Sequence, residues 1–394
     1  MRARNPKRTK AAATQRPNRL GEKSEMLASP WNSGPSGPRK PPRLNEGFSP
    51  GGRNSTGKPL SPQPANGPTS PQNIARFRQA LLSWYDTNKR DLPWRRTRDP
   101  YAIWLSEIML QQTRVAAVLE HYRLFLEKFP TVQNLAAASQ DDVLAAWSGL
   151  GYYRRARMLH CCAQEVAAQR GGRFPETAAA LGELPGIGRY TSAAIASIAF
   201  GEPAAVVDGN VERVLARLDG KSASPRQHWD RAQELLAPSR PGDFNQALME
   251  LGATICAPRE PRCLICPVRS LCATQGDSPR AKESAAQKKK EVWCLFERRN
   301  GQVRLVQRSK EASLMAGMWE LPQSELSRGA ATRTPWRTFR HSITVTNYTV
   351  HVMRDAKRKA PRPGQRGKWI AVENIPALPI TGLTRKILRA DGII

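Results

Sequence analysis

Acidic residues are scarce in this chain of 394: 33 Asp and Glu stand against 62 Lys and Arg, a formal net charge of +29. A surplus of that size points to a polyanionic partner, nucleic acid above all. There is no run of apolar residues approaching the roughly 18 that a membrane-spanning helix needs, so an ordinary membrane span is excluded and no membrane partner is expected. The basic N-terminal residues lead into no apolar segment, so a secretory signal is not expected either. Cysteine is sparse, and its count of seven is odd, which fits a reducing compartment rather than a disulfide scaffold. Aromatics make up only 7%, yet hydrophobic residues total 40%, enough for most of the chain to fold. At about 150 residues per domain, the length suggests two or three domains.

The charge and the punctuation are unevenly placed. Residues 1–72 hold 13 of the 32 prolines and eight glycines, with 13 basic residues against three acidic. That stretch has almost no apolar periodicity and cannot offset its ordering entropy, so it reads as a disordered basic arm. It serves either non-specific attraction to DNA or solubility. Residues 73–276 carry 25 basic and 20 acidic residues, a net of only +5. Apolar residues recur there at three-and-four spacing over 74–88, 101–112, 114–129, 152–169, 190–200, 211–218, 229–236 and 244–256, which predicts a helical domain. Asp99-Pro100 is a helix start, a cap followed by proline at the first helical position. Residues 277–291 (DSPRAKESAAQKKKE) read as a charged linker. Beyond it the period becomes strand-like. The runs 291–299 and 302–308 flank Asn300-Gly301, a strong hairpin signal, and 342–353 (SITVTNYTVHVM) is a further β-rich run. A second, α+β domain over 292–394 is therefore expected, and residues 277–394 carry a net charge of +14.

Cys256, Cys263, Cys266 and Cys272 are spaced C-x6-C-x2-C-x5-C. Four thiolates on one short loop after a helix can close around one soft metal centre. Zinc also accepts four sulfurs, but its sites usually bring two close pairs, and here only the 263/266 pair is tight. An iron–sulfur cluster is the reading preferred. Arg259, Arg262 and Arg269 frame the loop, where a bound centre would hold them near phosphates. Cys161, Cys162 and Cys294 sit in apolar surroundings and read as core fillers.

Between two helical stretches lies Leu184-Pro-Gly-Ile-Gly-Arg-Tyr190. Gly186 and Gly188 permit a tight turn that brings backbone N–H groups to the surface ahead of a helix, an arrangement suited to phosphate. Taken alone it is equally an ordinary turn. Asp208, before Gly209-Asn210, is either a helix cap or a functional carboxylate. Glu107 lies in an otherwise apolar helical run. A glutamate there is either satisfied structurally or is an acid whose pKa burial raises. One protonated and one ionised carboxyl together are what cleavage of an N-glycosidic bond would use.

The segments LPGIGRYT, VDGNVERVL, LSEIMLQQTRV and GLGYYRRA, with the four-cysteine loop, resemble the endonuclease III superfamily of helix-hairpin-helix glycosylases. The added β-rich domain resembles its adenine DNA glycosylase (MutY-type) branch. The likeness is dense over 73–276, thinner from 292, and does not reach the first 72 residues. It implies one 4Fe–4S cluster on Cys256, Cys263, Cys266 and Cys272. It implies that Glu107 protonates adenine, that Asp208 stabilises positive charge on the sugar, and that Tyr190 and Asn210 orient Asp208 and water. Gln112 and Tyr152 match wedge residues that fill the duplex where a base is flipped out, and Gly186, Gly188 and Arg189 match the DNA-binding hairpin. Bifunctional members carry lysine where Tyr190 stands, and a phenol cannot form an imine, so base removal without strand cleavage is expected.

By the same resemblance residues 292–394 are Nudix-like and read 8-oxoguanine opposite the adenine, with 311–322 as the matching loop. No acidic Nudix signature is present. Where the branch carries Phe-Ser-His, the alignment gives Ile343-Thr344-Val345. Thr344 offers a hydroxyl there, the histidine is missing, and His341, Ser342 and Asn347 are the neighbours able to compensate. The implied partner is double-stranded DNA with A:8-oxoguanine or A:G mispairs, bound by a monomer. The expected location is the bacterial nucleoid, or the nucleus or an organelle in a eukaryote. A thymine or uracil mismatch glycosylase, or a non-catalytic DNA-binding module, remain the alternatives.

Overall fold

The computed structural model describes residues 67–276, 287–324, 334–343, 346–354 and 367–394, all within one compact unit, Gly47–Ile394. Of the arm read over 1–72, residues 1–66 lie outside the described residues, as does most of the linker, 277–286, while Ser70 caps and Pro71 opens the first helix. Twelve α-helices are found among the described residues: α1 Pro71–Asn88, α2 Pro100–Leu110, α3 Val115–Lys128, α4 Val132–Ala137, α5 Gln140–Ala146, α6 Arg154–Arg170, α7 Ala178–Leu181, α8 Arg189–Ile195, α9 Gly209–Asp219, α10 Pro225–Leu235, α11 Pro241–Thr254 and α12 Gly382–Ala390.

Helix α2 starts as its sequence dictates. The Asp99 carboxylate accepts from the Tyr101 N–H at 3.1 Å, and Pro100 opens the first turn. Every residue from Tyr101 to Met109 is buried, so α2 runs through the interior with no solvent face. It organises one apolar core with α3, α4, α5 and α6. A second core gathers α1, α9, α10 and α11 with Val268 and Leu271 of the cysteine loop. Between them, α8 contributes Ala193 and Ala194, packed with Val206, and Tyr190 and Met249 lie against this small cluster. The short helices α4, α5 and α7 were not expected. At four to seven residues they show no usable period, and each is fixed instead by a side-chain cap, Thr131, Ser139 or Thr177. The 190–200 segment is α-helical only to Ile195 and then widens into a π-turn at Ala196–Phe200.

The C-terminal region is α+β. Strands β1 Lys288–Phe296, β5 Gln323–Ser324, β6 Arg337–Ile343 and β7 Thr346–Arg354 form a mixed sheet in the order β5-β1-β7-β6. Strands β2 Arg298–Arg299, β3 Gln302–Gln307, β4 Trp319–Glu320 and β8 Lys368–Ala371 form the second. Asn300 and Gly301, both at positive φ (48° and 71°), make the expected hairpin, but it joins β2 to β3. The preceding run begins earlier, at Lys288, and pairs parallel with β7 from Lys288↔Thr346 to Phe296↔Arg354. The run 342–353 falls in two strands, β6 and β7, which pair antiparallel from Arg337↔Val352 to Ile343↔Thr346. Cys162 and Cys294 fill core positions as expected, whereas Cys161 is exposed.

The two regions are joined by specific contacts. Ser148 Oγ donates to the Ile380 carbonyl at 2.9 Å and the Tyr153 hydroxyl to the same oxygen at 3.3 Å. The Arg157 guanidinium donates to the Ala316 carbonyl. Met318, fully buried, belongs to the core built around α2.

Candidate active site

The two carboxyls arrive from different cores. Glu107 projects from α2 and is 7% exposed. The Tyr190 hydroxyl, from the second residue of α8, donates to Glu107 Oε2 at 2.8 Å and lies 3.2 Å from Met249 Sδ of α11. With Oε2 so engaged, Oε1 is left for a mobile proton. Burial raises the Glu107 carboxyl to about 7. The Tyr190 hydrogen bond pulls it down, the Asp208 charge pushes it further up, and Arg95 lowers it. Glu107 is thus a carboxylic acid able to keep or lose its proton near neutrality.

Asp208 is the N-cap of α9 as well as a site residue. One carboxylate oxygen accepts from the Asn210 and Val211 N–H groups at 2.9 and 2.8 Å. The other accepts from Asn210 Nδ2 at 3.1 Å. Burial raises its pKa, and these three bonds and Arg213 lower it. The positive end of α9 supports the anion further. The Asp208 charge is felt by both Glu107 and Tyr190. Asn210 is itself fixed. Arg213 Nη2 donates to Asn210 Oδ1 and to the Gly252 carbonyl, both at 2.8 Å, while its Nε reaches the Cys256 carbonyl at 2.9 Å.

Sequence reading missed Arg213, and it missed a buried ion cluster beside the acid. Glu250 of α11 binds Arg90 through both oxygens at 2.7 and 2.6 Å, and Arg95 at 2.8 Å. Burial would raise the Glu250 carboxyl, but these guanidinium bonds hold it at about 2. In a chain with 62 Lys and Arg, no single arginine stands out by composition.

Gln112 and Tyr152 flank a cavity of about 890 Å³ lined also by Gly186, Met315, His341 and Ser342. Both are in the left-handed region, at φ 55° and 48°, which costs a side-chain-bearing residue about 1–3 kcal/mol. Tyr152 is 45% exposed, not a core tyrosine. Gly186 has φ 76°, and a Cβ there would come within 2.8 Å of Met158, so the hairpin needs glycine at this point. Gly188 caps α8 with open space around it, and Arg189 is exposed, its guanidinium 4.0 Å from the Trp229 ring centroid. Thr344 lies outside the described residues. Its neighbours His341, Ser342 and Ile343 are on the cavity wall.

Residues 105–238 match the family described as "HhH-GPD superfamily base excision DNA repair protein". Over those residues the chain is similar to the HhH-GPD superfamily. The chain is also similar to the adenine DNA glycosylase of Homo sapiens, 53% identical over 214 residues that cover 50% of this chain and 39% of that protein. The adenine DNA glycosylase of Arabidopsis thaliana is 42% identical over 317 residues, covering 67% of this chain and 50% of that one. The chain therefore spans half or less of the length of these two relatives. A solved structure described as a thermostable thymine-DNA glycosylase is 35% identical, covering 50% of this chain and 94% of that one, with a TM-score of 0.48.

The HhH-GPD match ends at 238, before the cysteine loop. There, Cys256, Cys266 and Cys272 pack against the α1/α9/α10/α11 core. The charges of Cys256, Cys272 and Cys263 all bear on Cys266. Arg217 donates to Cys256 Sγ at 3.3 Å, the kind of contact that suits an anionic sulfur. Among the described residues no three His, Cys, Asp or Glu side chains are grouped as a metal site. The donor set itself, four thiols on one loop with a cation beside them, fits a soft thiolate-bound centre. Arg259, Arg262 and Arg269 are all exposed.

Proposed function

We propose that this chain is a monofunctional DNA glycosylase that hydrolyses the N-glycosidic bond of adenine mispaired with 8-oxoguanine or guanine. The observation carrying this reading is the hydrogen bond from Tyr190 to a buried Glu107 beside the capped anion Asp208. Similarity to adenine DNA glycosylases at 53% identity supports the choice of base. Glu107 delivers its proton to N7 of an extruded adenine. The C1′–N9 bond then breaks, with its electron pair leaving on the neutral base. Asp208 stabilises the positive charge left on the sugar, an effect of about 3–4 kcal/mol for a well-placed group. Water adds to C1′ and its proton passes to Glu107, which restores the acid. Tyr190 offers no amine, so no Schiff base forms and the strand stays intact.

Double-stranded DNA is the partner, bound by one copy of the chain. Gln112 and Tyr152 fill the space vacated by the adenine, and Gly186, Gly188 and Arg189 hold the backbone. One 4Fe–4S cluster would be held by Cys256, Cys263, Cys266 and Cys272. When bound, it would tie down the loop that carries Arg259, Arg262 and Arg269. Residues 292–394 would form a Nudix-like module in which His341 and Ser342 read the base opposite, beside Thr344.

The test is a panel of duplexes containing A opposite 8-oxoguanine, A opposite G, T opposite G and U opposite G. Release of adenine from the first two, with the strand uncut before alkali, is expected. Release of pyrimidine alone would overturn the substrate, and no release from any duplex would overturn the enzyme.

A further inference from the structure

Two residues in strained backbone conformations, forty positions apart, share one clamp. Arg155, in the first turn of α6, directs Nη1 at the Ile108 and Met109 carbonyls (2.7 and 3.0 Å) and at the Gln111 carbonyl. Its Nη2 reaches Thr113 Oγ1 at 3.1 Å and the Leu150 and Gly151 carbonyls, each at 3.3 Å. These partners bracket Gln112 on one side and precede Tyr152 on the other. The guanidinium also lies 5.5 Å from the Tyr152 ring centroid and 5.4 Å from that of Trp147.

We propose that Arg155 is a positioning residue that holds Gln112 and Tyr152 at a fixed separation, making them one two-pronged wedge that enters the duplex together. This rests on the glycosylase reading above. The physical case is geometric. Ile108 and Met109 carry carbonyls at the end of α2 that lack partners within the helix. A planar fork can satisfy these and the 150–151 carbonyls together, whereas an ammonium is a point donor. Both prongs sit at positive φ, a conformation that persists only where the surroundings enforce it. Without the clamp each loop is free to relax independently. Base extrusion then fails before the chemistry at Glu107 begins.

The experiment uses the full chain and duplexes with 2-aminopurine in place of the mispaired adenine, whose fluorescence rises on unstacking. The variants are Arg155→Lys, Gln112→Ala with Tyr152→Ala, and all three changes together. Arg155→Lys should lower the extrusion signal and the rate of adenine release in parallel, by roughly tenfold or more. Adding it to the Gln112→Ala, Tyr152→Ala pair should cost little further, because the clamp acts only through those side chains. Additive losses, or slower release with an unchanged extrusion signal, would overturn the proposal. So would loss of the folded state in Arg155→Lys, judged by thermal unfolding, since the residue would then be a plain structural cap. A parent protein that extrudes 2-aminopurine yet releases no adenine would sink the enzymatic reading and leave the clamp standing. One that extrudes nothing would sink both.

Discussion

A phenol at position 190 lends the acid a hydrogen bond and withholds an amine. The bond also sets where the acid titrates. Burial is the main cause of the Glu107 elevation to about 7, and Tyr190 works against it. Removing the hydroxyl in Tyr190→Phe deletes a lowering influence, so the Glu107 pKa should rise. The protonated acid then persists to higher pH, and the alkaline limb of the rate profile should move upward. Single-turnover adenine release across the pH range measures this, and a limb that stayed put or moved down would mean that Tyr190 does not act on Glu107. Linkage gives a second sign. A carboxyl at 4.5 when unfolded and about 7 when folded contributes stability that is full below 4.5 and lost as pH rises through 7. At this scale Glu107 and Asp208 were legible in the sequence, because an acid in an apolar helix and a carboxylate before a helix each need a reason, whereas Tyr190 came only from the family resemblance. Arg155, Arg213 and Arg95 were not. Their roles depend on carbonyls and carboxylates that fold beside them, and their residue type is common throughout the chain.

Helices α9 and α11 meet at a point where only glycine fits. A Cβ on Gly252 would stand 2.7 Å from the Asn210 Cβ and 3.2 Å from its carbonyl oxygen. Asn210 is the residue that donates to Asp208, so this contact governs the anion as well as the packing. Gly252→Ala forces the helices apart, at about 1–3 kcal/mol for overpacking. Alanine's better helix propensity offsets only about 1 kcal/mol of that. The variant should therefore unfold at a lower temperature and release adenine more slowly, as Asn210 is pushed off Asp208. Unchanged stability and rate would show that the helices can part without disturbing the site. Elements of this length were readable from the three-and-four period, and α9 and α11 fell close to their expected bounds. The division of 342–353 between β6 and β7 was not, because SITVTNYTVHVM alternates without a turn residue until Asn347. Thr344 was reached by alignment to the family motif and lies outside the described residues, while His341, Ser342 and Ile343 line the cavity.

Across the whole molecule, charge and chemistry are kept apart. Residues 73–276, with both carboxyls and the hairpin, have a net charge of only +5, while 1–72 and 277–394 add +10 and +14. Long-range attraction therefore comes mostly from the two ends and is blind to sequence. On the function proposed above, discrimination would come from the cavity between Gln112, Tyr152 and His341, where the cost of extruding a base would differ between a pair and a mispair. These two contributions respond differently to salt. Affinity for any duplex should fall with a log–log slope of about −0.9 per phosphate neutralised. The ratio of affinities for A:G and A:T duplexes should stay nearly constant, because counterions are released equally from both. Titrations of the full chain at several salt concentrations measure the two quantities together. A ratio that collapsed in step with the affinity would place recognition in the charged ends and remove the cavity from the account of specificity.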